Sequence, residues 1–252
     1  MTMLSTDQVT SYRESGYLVV PDLLTPAEIE TFLHHEAQPD RQRLGLRTHV
    51  VDPQWAHLAH HPKVAGCVVQ LLESQPMIVQ TMYLPKPPLK ALEAPHPGIA
   101  IHQDSLYIRN EPETLMACWL ALDDTDGQNG GLCVVPNSHQ DGLLSTHPNQ
   151  DTDEHVSWVQ EYGMRDINGK EWSEELYSFE MDNLDQMEVR RLSVPAGGGV
   201  FFTGLTIHGS YANHSFNRFR RAFAIHYVGQ ESWVYRTDIQ ELVSTALPSS
   251  EG

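Results

Sequence analysis

Basic residues are scarce in this chain of 252 residues. Lysine and arginine together number 16 against 33 aspartates and glutamates, which gives a formal net charge of −17 at pH 7. Nucleic-acid binding requires clustered lysine and arginine side chains that neutralise phosphates, so this charge balance argues against a nucleic-acid partner. It also argues against a polyanionic substrate, unless basic residues are concentrated in one cleft.

Cysteines and long apolar runs are also scarce. The three cysteines, Cys67, Cys118 and Cys133, are an odd number without metal-site spacing, which predicts buried thiols in a reducing compartment. No run approaches the ~18 apolar residues of a membrane span, and the first residues, MTMLSTDQVTSYRESGY, contain no apolar signal-peptide core. We therefore expect a cytoplasmic protein without a membrane partner.

Residues 1–75 have the patterns of helices. The segment STDQVTSYRESG begins with capping residues and ends at Gly16. After a short apolar strand, YLVVPDLL (17–24), Thr25 and Glu28 form a capping-box pattern around Pro26, which suits the first position of a helix. A further helix is predicted in HPKVAGCVVQLLES (61–74).

Residues 76–235 have the pattern of an all-β protein, because short apolar runs alternate with proline and glycine. Asn129-Gly130 predicts a tight hairpin between two such runs. Residues 142–187 are polar and acidic, and they predict a long excursion with a short helix near 171–178, which could serve as a lid or binding loop. With residues 236–252 as a C-terminal tail, we expect a single domain over 1–252.

The tripeptide HQD occurs twice. In IAIHQDSLYI the first copy is predicted to lie in a strand, so that Ala100, His102 and Asp104 share one face. A buried His and Asp side by side are costly unless a partner such as a divalent cation satisfies them. The second copy, His139–Asp141, follows a Pro-Asn-Ser turn, where His139 is expected to be solvated or to hold the turn by a hydrogen bond.

A third metal ligand is expected from elsewhere in the chain. His208 ends the alternating run Leu205–His208, after the Gly-rich strand GGGVFFTG. The pattern H-x-D…H is that of the two-His-one-carboxylate triad of non-haem Fe(II) oxygenases, which leaves coordination positions open for cosubstrate and oxygen. The alternative is a set of buried His and Asp side chains that are satisfied by hydrogen bonds.

The segment RRAFAIHYV predicts a strand with two distinct faces. Arg220, Ala222, Ala224 and His226 would share one face, where the small alanines leave space beside a guanidinium. A guanidinium binds a carboxylate through two parallel hydrogen bonds, so a dicarboxylate held there could chelate iron through its other end. Arg221 would face outwards with bulky apolar residues. The alternative for Arg220 is a surface ion pair.

Five stretches together resemble the phytanoyl-CoA dioxygenase family, whose members are Fe(II)/2-oxoglutarate-dependent oxygenases. They are GYLVVPDLLTPAEIE, MYLPKPP before HQDSLY, MACWLALDDTDGQNGGLCVVPNSH, VPAGGGVFFTGLTIHGSYANHS and RRAFAIHY. The resemblance covers nearly the whole chain. It implies a mainly β fold with flanking helices, in which a double-stranded β-helix (a jelly-roll, cupin-like core) follows N-terminal helices.

The resemblance also implies two groups of site residues. The residues expected to bind iron are His102, Asp104 and His208. The residues expected to bind 2-oxoglutarate are Arg220, Ser210, Trp119 and Met82. The segment from His208 to the arginine is about one residue longer than is usual in the family, so Arg221 stays an alternative. The second HQD then belongs to the family's Pro-x-Ser-His turn.

The expected function is a dioxygenase reaction that uses Fe(II), 2-oxoglutarate and O2 to hydroxylate or otherwise oxidise a small-molecule metabolite, and that converts 2-oxoglutarate to succinate and CO2. No separate acid or base residue is expected. Related halogenases have a small residue where this chain has Asp104, so halogenation is not expected. An acyl-CoA substrate is disfavoured, because basic residues such as Lys86 and Lys90 are scattered and family membership does not fix the substrate.

Two alternatives share the same fold. One is a Zn or Ni hydrolase or isomerase, which would need neither 2-oxoglutarate nor Arg220. The other is a binding protein with a structural metal, which would need a closed coordination sphere. His226 is the nearest candidate for the fourth ligand of such a site.

Overall fold

The computed structural model describes residues 4–39 and 45–245, and the helices lie in the N-terminal part as predicted. Ser5 and Thr25 cap their helices in capping boxes with Gln8 and Glu28. One helix, capped by Asp52, was not predicted. No helix in the described part of the chain is long and apolar enough to cross a membrane. The α-helices are α1 (Thr6–Ser15), α2 (Pro26–Glu36), α3 (Pro53–Ala59) and α4 (Pro62–Leu72).

Two antiparallel sheets face each other beside these helices. The larger sheet has the order β1 (Tyr17–Val20), β12 (Gly199–Thr203), β5 (Met116–Ala121), β14 (Ala222–Gly229), β2 (Pro76–Tyr83) and β16 (Val243–Ser244). The smaller sheet has the order β11 (Arg190–Arg191), β6 (Leu132–Val134), β13 (His208–Ser210) and β3 (Ile99–His102). The chain crosses between the sheets from β5 to β6 and again from β12 to β13. This is the predicted double-stranded β-helix, or jelly roll.

Strand alternation divides the apolar residues between two cores. On β5, Cys118 and Leu120 pack with the helices, whereas Ala117 and Trp119 face the space between the two sheets. Successive side chains of a strand point to opposite faces, so one strand serves both cores. The cavity described below opens from the core between the sheets.

The three cysteines are free and buried, as predicted. Burial raises the pKa of the Cys67 and Cys133 thiols to about 11, and it raises the pKa of the Cys118 thiol well above its usual value. All three are therefore protonated packing residues at neutral pH.

The predicted hairpin at Asn129-Gly130 is wrong. The turn connects β5 of the larger sheet to β6 of the smaller one, and these strands do not pair. A tight hairpin of this type needs a positive φ at both central residues, but only Gly130 has one, at 75°. The Asn129 side-chain amide instead donates to the carbonyl oxygens of Asp124 and Phe219, so it ties this loop to the segment before β14.

The helix predicted near 171–178 is also wrong, because strands occupy much of the excursion. β8 (Val159–Arg165) and β9 (Glu171–Tyr177) form an antiparallel hairpin. Burial alternates along most of β9, which is the period of a strand. The remaining pairs of strands are β7 (Thr146–Pro148) with β10 (Phe179–Met181), and β4 (Asn110–Glu111) with β15 (Trp233–Val234).

Short 3-10 segments complete the described chain. One of them begins at Asp104, the last residue of the first HQD, two residues after the end of β3. The segments are Gly45–Val50, Leu89–Ala91, Asp104–Leu106, Ser138–Asp141 and Leu184–Gln186.

Candidate active site

His102 and His208 are cross-strand neighbours on β3 and β13, and their ring centroids are 4.6 Å apart. Nδ1 of His102 lies 2.6 Å from the Ala100 carbonyl oxygen, and Nδ1 of His208 lies 2.9 Å from the Thr206 carbonyl oxygen. A ring nitrogen that faces a carbonyl oxygen must carry the proton. Both rings therefore present an unprotonated Nε2, which is the form that binds a metal ion.

Asp104 completes a group of three ligand atoms. Its Oδ1 lies 3.3 Å from Nε2 of His102 and 3.6 Å from Nε2 of His208. The three ligand atoms lie within 4.8 Å of one another, and all three residues are buried. The structure thus brings together the three residues that the sequence suggested.

The backbone that carries these ligands differs from the prediction in two details. β3 ends at His102, and Asp104 opens a 3-10 turn in which its carbonyl oxygen accepts from the Tyr107 and Ile108 amides. The expected strand face shared with Asp104 is therefore wrong, although the turn still places the carboxylate beside His102. His208 opens β13 and does not end a run, because residues 204–206 form a turn.

Burial shapes the electrostatics of this group. It lowers the pKa of His208 to about 4, so the ring is neutral at pH 7. Burial raises the pKa of the Asp104 carboxyl, but the surrounding histidines, chiefly His208 and His226, outweigh burial and hold that pKa well below its usual value. Two imidazole lone pairs and a carboxylate therefore converge in a buried space, an arrangement that a divalent cation satisfies. This donor set is the one typical of non-haem Fe(II) sites.

Gln103, between the two ligands of the HQD, was missed by the sequence analysis. Its side chain is fully buried, and Nε2 donates to the carbonyl oxygens of Gly142 at 2.8 Å and Leu205 at 2.6 Å. Its Oε1 accepts from the Leu144 amide at 2.9 Å. Gln103 thus joins the turn that carries Asp104 to the start of the excursion and to the turn before His208.

The second HQD has a different environment. It lies in the 3-10 segment Ser138–Asp141, and Nε2 of His139 is 3.0 Å from the Arg13 carbonyl oxygen at the end of α1. His139 therefore holds the turn by a hydrogen bond, as one of the two expectations stated.

A cavity of about 320 Å³ opens beside the three ligands, and Arg220 lies in its wall. The Arg220 side chain is 1% exposed. Its Nη1 donates to the Leu84 carbonyl oxygen at 2.8 Å, and its Nε has no hydrogen-bond partner in residues 4–39 and 45–245. Burial lowers the pKa of Arg220 to about 9, so the guanidinium is still charged at neutral pH. Within the part of the chain that the structure describes, Arg220 has no ion pair.

Arg221 points the other way. Its Nε donates to Oδ2 of Asp123 at 2.8 Å, and its Nη2 donates to Oδ1 of the same carboxylate. Arg221 does not line the cavity. The geometry therefore separates the two candidates, because Arg220 alone of this pair faces the cavity with an uncompensated charge.

Lys86 is a second buried basic residue and pairs with Arg220 in an isolated β-bridge, so it is not one of several scattered basic residues as expected. Its side chain is 2% exposed, and Nζ donates to Ser210 Oγ at 2.8 Å and to the Tyr211 carbonyl oxygen at 2.6 Å. Burial, reinforced by the charge of Arg220, holds the pKa of Lys86 well below its usual value. Ser210 Oγ also accepts from the Ile99 amide at 3.3 Å, so the hydroxyl hydrogen is free to donate to a ligand.

Met82 and Trp119 line the same cavity, and strand register explains why. Ala224 on β14 is opposite Met82 on β2 and opposite Trp119 on β5. The small alanine leaves space between the two large neighbours. The Trp119 ring also lies 5.8 Å from the guanidinium carbon of Arg220, so the four predicted cosubstrate residues surround one space.

Aromatic residues line another part of the cavity. Trp158, from the excursion, packs on Tyr107 with ring centroids 5.6 Å apart, and both line the cavity. Tyr162 also lines it and lies 4.0 Å from the Arg236 guanidinium, whose charge is paired with Asp238. Two other aromatic residues of the excursion do not line the cavity. Trp172 packs on Tyr235, and Tyr177 packs on Phe179.

Comparison with known proteins identifies the family of the chain. A family model described as phytanoyl-CoA dioxygenase (PhyH) matches residues 12–222. A phytanoyl-CoA dioxygenase of Arabidopsis thaliana is 24% identical over 206 residues, which cover 79% of this chain and 63% of that protein. A phytanoyl-CoA dioxygenase domain-containing protein 1 of Danio rerio is 27% identical over 194 residues, which cover 77% of this chain and 59% of that protein. The matched region thus spans about three fifths of these relatives.

Solved structures with the same fold include three enzymes. The non-heme alpha ketoglutarate dependent epimerase SnoN from nogalamycin biosynthesis has a TM-score of 0.66 at 17% identity, with 98% of this chain and 90% of that chain covered. The carbocyclase SnoK from the same biosynthesis has a TM-score of 0.67 at 19% identity, with coverages of 93% and 88%. EctD from S. alaskensis, solved with 2-oxoglutarate and 5-hydroxyectoine, has a TM-score of 0.66 at 15% identity, with coverages of 90% and 77%.

Proposed function

The chain belongs to the phytanoyl-CoA dioxygenase family, and on that basis we propose that it is an Fe(II)- and 2-oxoglutarate-dependent dioxygenase that hydroxylates, or otherwise oxidises, a small-molecule metabolite. One observation carries the proposal. The buried guanidinium of Arg220, which has no counter-ion among the described residues, shares a cavity with the three converging ligand atoms of His102, Asp104 and His208. A metal site alone does not require that arginine, whereas a dicarboxylate cosubstrate does.

The chain's own residues prepare the metal site. His102 and His208 would bind the ion through Nε2, and the hydrogen bonds of their Nδ1 atoms to main-chain carbonyls hold the rings in the required tautomer. Asp104 would supply a negative charge through Oδ1. Bound iron would supply the activation of O2, coupled to conversion of 2-oxoglutarate to succinate and CO2. The carboxylate of Asp104 occupies the place that halogenases leave open, which supports hydroxylation over halogenation.

Arg220, Ser210 and Lys86 form a site suited to the distal carboxylate of 2-oxoglutarate. Arg220 offers a planar set of donors, and Ser210 offers its hydroxyl hydrogen because its oxygen already accepts from Lys86 and Ile99. Lys86 lies beside Ser210, and an anion bound there would favour the charged form of its amine. Met82 and Trp119 would enclose the carbon chain of the cosubstrate and exclude water from it.

The remaining part of the cavity supports a small and mostly uncharged substrate. Its walls include Tyr107, Trp158 and Tyr162, and its one nearby arginine, Arg236, is already paired with Asp238. Gln80 Oε1 is buried there without a hydrogen-bond partner among the described residues. A CoA thioester would need several cations for its phosphates, and the described lining of the cavity offers no such cluster.

Succinate formation tests the proposed function. Purified protein would be incubated with Fe(II), ascorbate, O2 and 2-oxoglutarate, with and without a panel of small hydroxylatable metabolites. We expect slow succinate formation that requires iron, that increases with a matching substrate, and that is lost in His208→Ala. Arg221→Met serves as the control, because that residue lies outside the cavity. Iron and 2-oxoglutarate binding without succinate formation under any condition would contradict the oxygenase proposal and favour a non-oxygenase metalloprotein.

A further inference from the structure

His226 contacts the carboxylate of Asp104 from the side opposite the two metal-binding histidines. Its Nε2 lies 3.1 Å from Oδ2 of Asp104, whereas His102 and His208 face Oδ1. The His226 side chain is buried, with 5% of the residue exposed. One carboxylate oxygen therefore points towards the converging ring nitrogens, and the other points towards His226.

Gln80 is the partner of His226 on the neighbouring strand. The two residues are opposite each other in the register of β2 and β14, and Nε2 of Gln80 lies 3.3 Å from Nδ1 of His226. Gln80 is also buried, with 5% of the residue exposed. Strand pairing thus builds a chain of contacts that runs from Gln80 through His226 to Asp104.

The direction of these hydrogen bonds follows from the chemistry of the groups. A carboxylate that ligates a metal ion is an acceptor, so Nε2 of His226 must donate to Oδ2. Nδ1 of His226 is then available to accept, and the Gln80 side-chain amide is the donor that faces it. Gln80 therefore donates to His226, and His226 donates to Asp104.

We propose that Gln80 and His226 are positioning residues that hold Oδ2 of Asp104, so that Asp104 ligates the metal ion through Oδ1 alone. Gln80 sets the tautomer of His226, and His226 sets the rotation of the carboxylate. His226 is then not a fourth ligand, so a bound ion would keep positions available for other ligands. This inference rests on the proposed function only in that the site holds a divalent ion; it needs neither 2-oxoglutarate nor turnover.

Cobalt binding tests the pair without any need for activity. Metal-free protein would be titrated with Co(II), and the visible absorbance of bound cobalt would give a dissociation constant. We expect His226→Leu and Gln80→Leu to weaken Co(II) binding by about 10- to 100-fold, which is typical when a group that orients a metal ligand is lost. His226→Gln should recover part of the affinity, because its amide can still donate to Oδ2.

His49→Leu is a matched control. His49 is also a buried histidine beside β2, and it is 2% exposed. Its Nδ1 contacts Oγ1 of Thr81. Thr81 follows Gln80 on β2, so the two side chains point to opposite faces of the strand. This variant should bind Co(II) within about threefold of the unmodified protein, because it removes no contact to a metal ligand. Circular dichroism and thermal unfolding of each metal-free variant separate a local effect from a loss of folding.

Two further measurements distinguish a positioning role of His226 from direct binding of the metal ion. The double variant Gln80→Leu/His226→Leu should be no weaker than His226→Leu alone, because Gln80 acts through His226. Proton NMR of the Co(II) protein should show two strongly shifted, exchangeable ring N–H signals, one each from His102 and His208. A third such signal would make His226 a ligand and overturn the proposal, as would unchanged Co(II) affinity in both single variants. If the cobalt results are as expected but the Fe(II) protein forms no succinate from 2-oxoglutarate, only the proposed oxygenase reaction is refuted.

Discussion

Arg220 and Arg221 are adjacent in the extended segment just before β14, but their guanidinium groups point in opposite directions. Arg220 is buried in the cavity wall without an ion pair among the described residues, and Arg221 is paired with Asp123 on the outside. The period of two in a strand produces this separation. It also supplies a pair of variants with the same chemistry and different expected outcomes.

The arginine pair leads to the first prediction. Arg220→Met should raise the dissociation constant of 2-oxoglutarate, measured in the Fe(II) protein, by about 100-fold or more, because the distal carboxylate would lose a buried charged partner. Arg221→Met should change it by less than about threefold, since a partly exposed ion pair contributes little. Equal losses in both variants would indicate a general structural effect and contradict the assignment.

The second prediction concerns Lys86. Lys86→Met should weaken 2-oxoglutarate binding by about 10-fold, because Ser210 loses the donor that orients its hydroxyl. Ser210→Ala should have a similar effect, and the double variant should be less than additive because the two groups are in contact. Lys90→Met, at an exposed position of the next 3-10 segment, is the control. Additive losses would show that Lys86 and Ser210 act separately.

The third prediction concerns the close approach of Gly98 to β13. A Cβ atom at Gly98 would lie 1.9 Å from the carbonyl oxygen of Ser210, which is a main-chain atom. Gly98→Ala should therefore displace the β3–β13 pairing, destabilise the protein by about 2 kcal/mol, and weaken metal binding. A Cβ atom at Gly127 would contact only the flexible Arg191 side chain, so Gly127→Ala should leave the stability nearly unchanged. Thermal unfolding and Co(II) titration measure both effects; a stable Gly98→Ala protein with unchanged affinity would contradict this account.

The fourth prediction is a pH dependence of stability. Burial lowers the pKa of His49 to about 4, so the unfolded chain binds a proton between about pH 6.5 and 4 that the folded protein does not. Stability should therefore fall as the pH falls through this window, with His49 contributing up to about 3 kcal/mol of the loss. Denaturant unfolding at several pH values should show a smaller loss in His49→Leu. If stability falls equally with pH in the unmodified protein and in His49→Leu, His49 is not the cause of the loss.

Local sequence was sufficient to predict the N-terminal helices and the face of each residue on β14. The capping boxes at Ser5 and Thr25 involve side chains three residues apart, so the pattern contains the whole interaction. Alternation likewise placed Arg220 and Arg221 on opposite faces. The H-x-D pattern brought His102 and Asp104 together even though the strand ends between them, because a single turn keeps residues two apart within reach.

Other features depend on contacts that have no local pattern. Lys86 reaches Ser210 across 124 residues of sequence, and Gln103 reaches Leu205 across 102 residues. The Asn129-Gly130 turn has the composition of a hairpin, but packing of the two sheets makes it a crossover. β9 is rich in glutamate and lacks apolar alternation, so its pairing with β8 was not predictable from its hydrophobic pattern.

The most direct test of the central claim is an anaerobic titration of the metal-free protein with Fe(II) and then 2-oxoglutarate, followed by visible absorbance. A 2-oxo acid chelated to Fe(II) gives a weak charge-transfer band. We predict a band that requires both components, disappears in His102→Ala, and needs far more 2-oxoglutarate in Arg220→Met than in Arg221→Met. A folded protein that binds iron but shows no band at saturating 2-oxoglutarate would contradict the account.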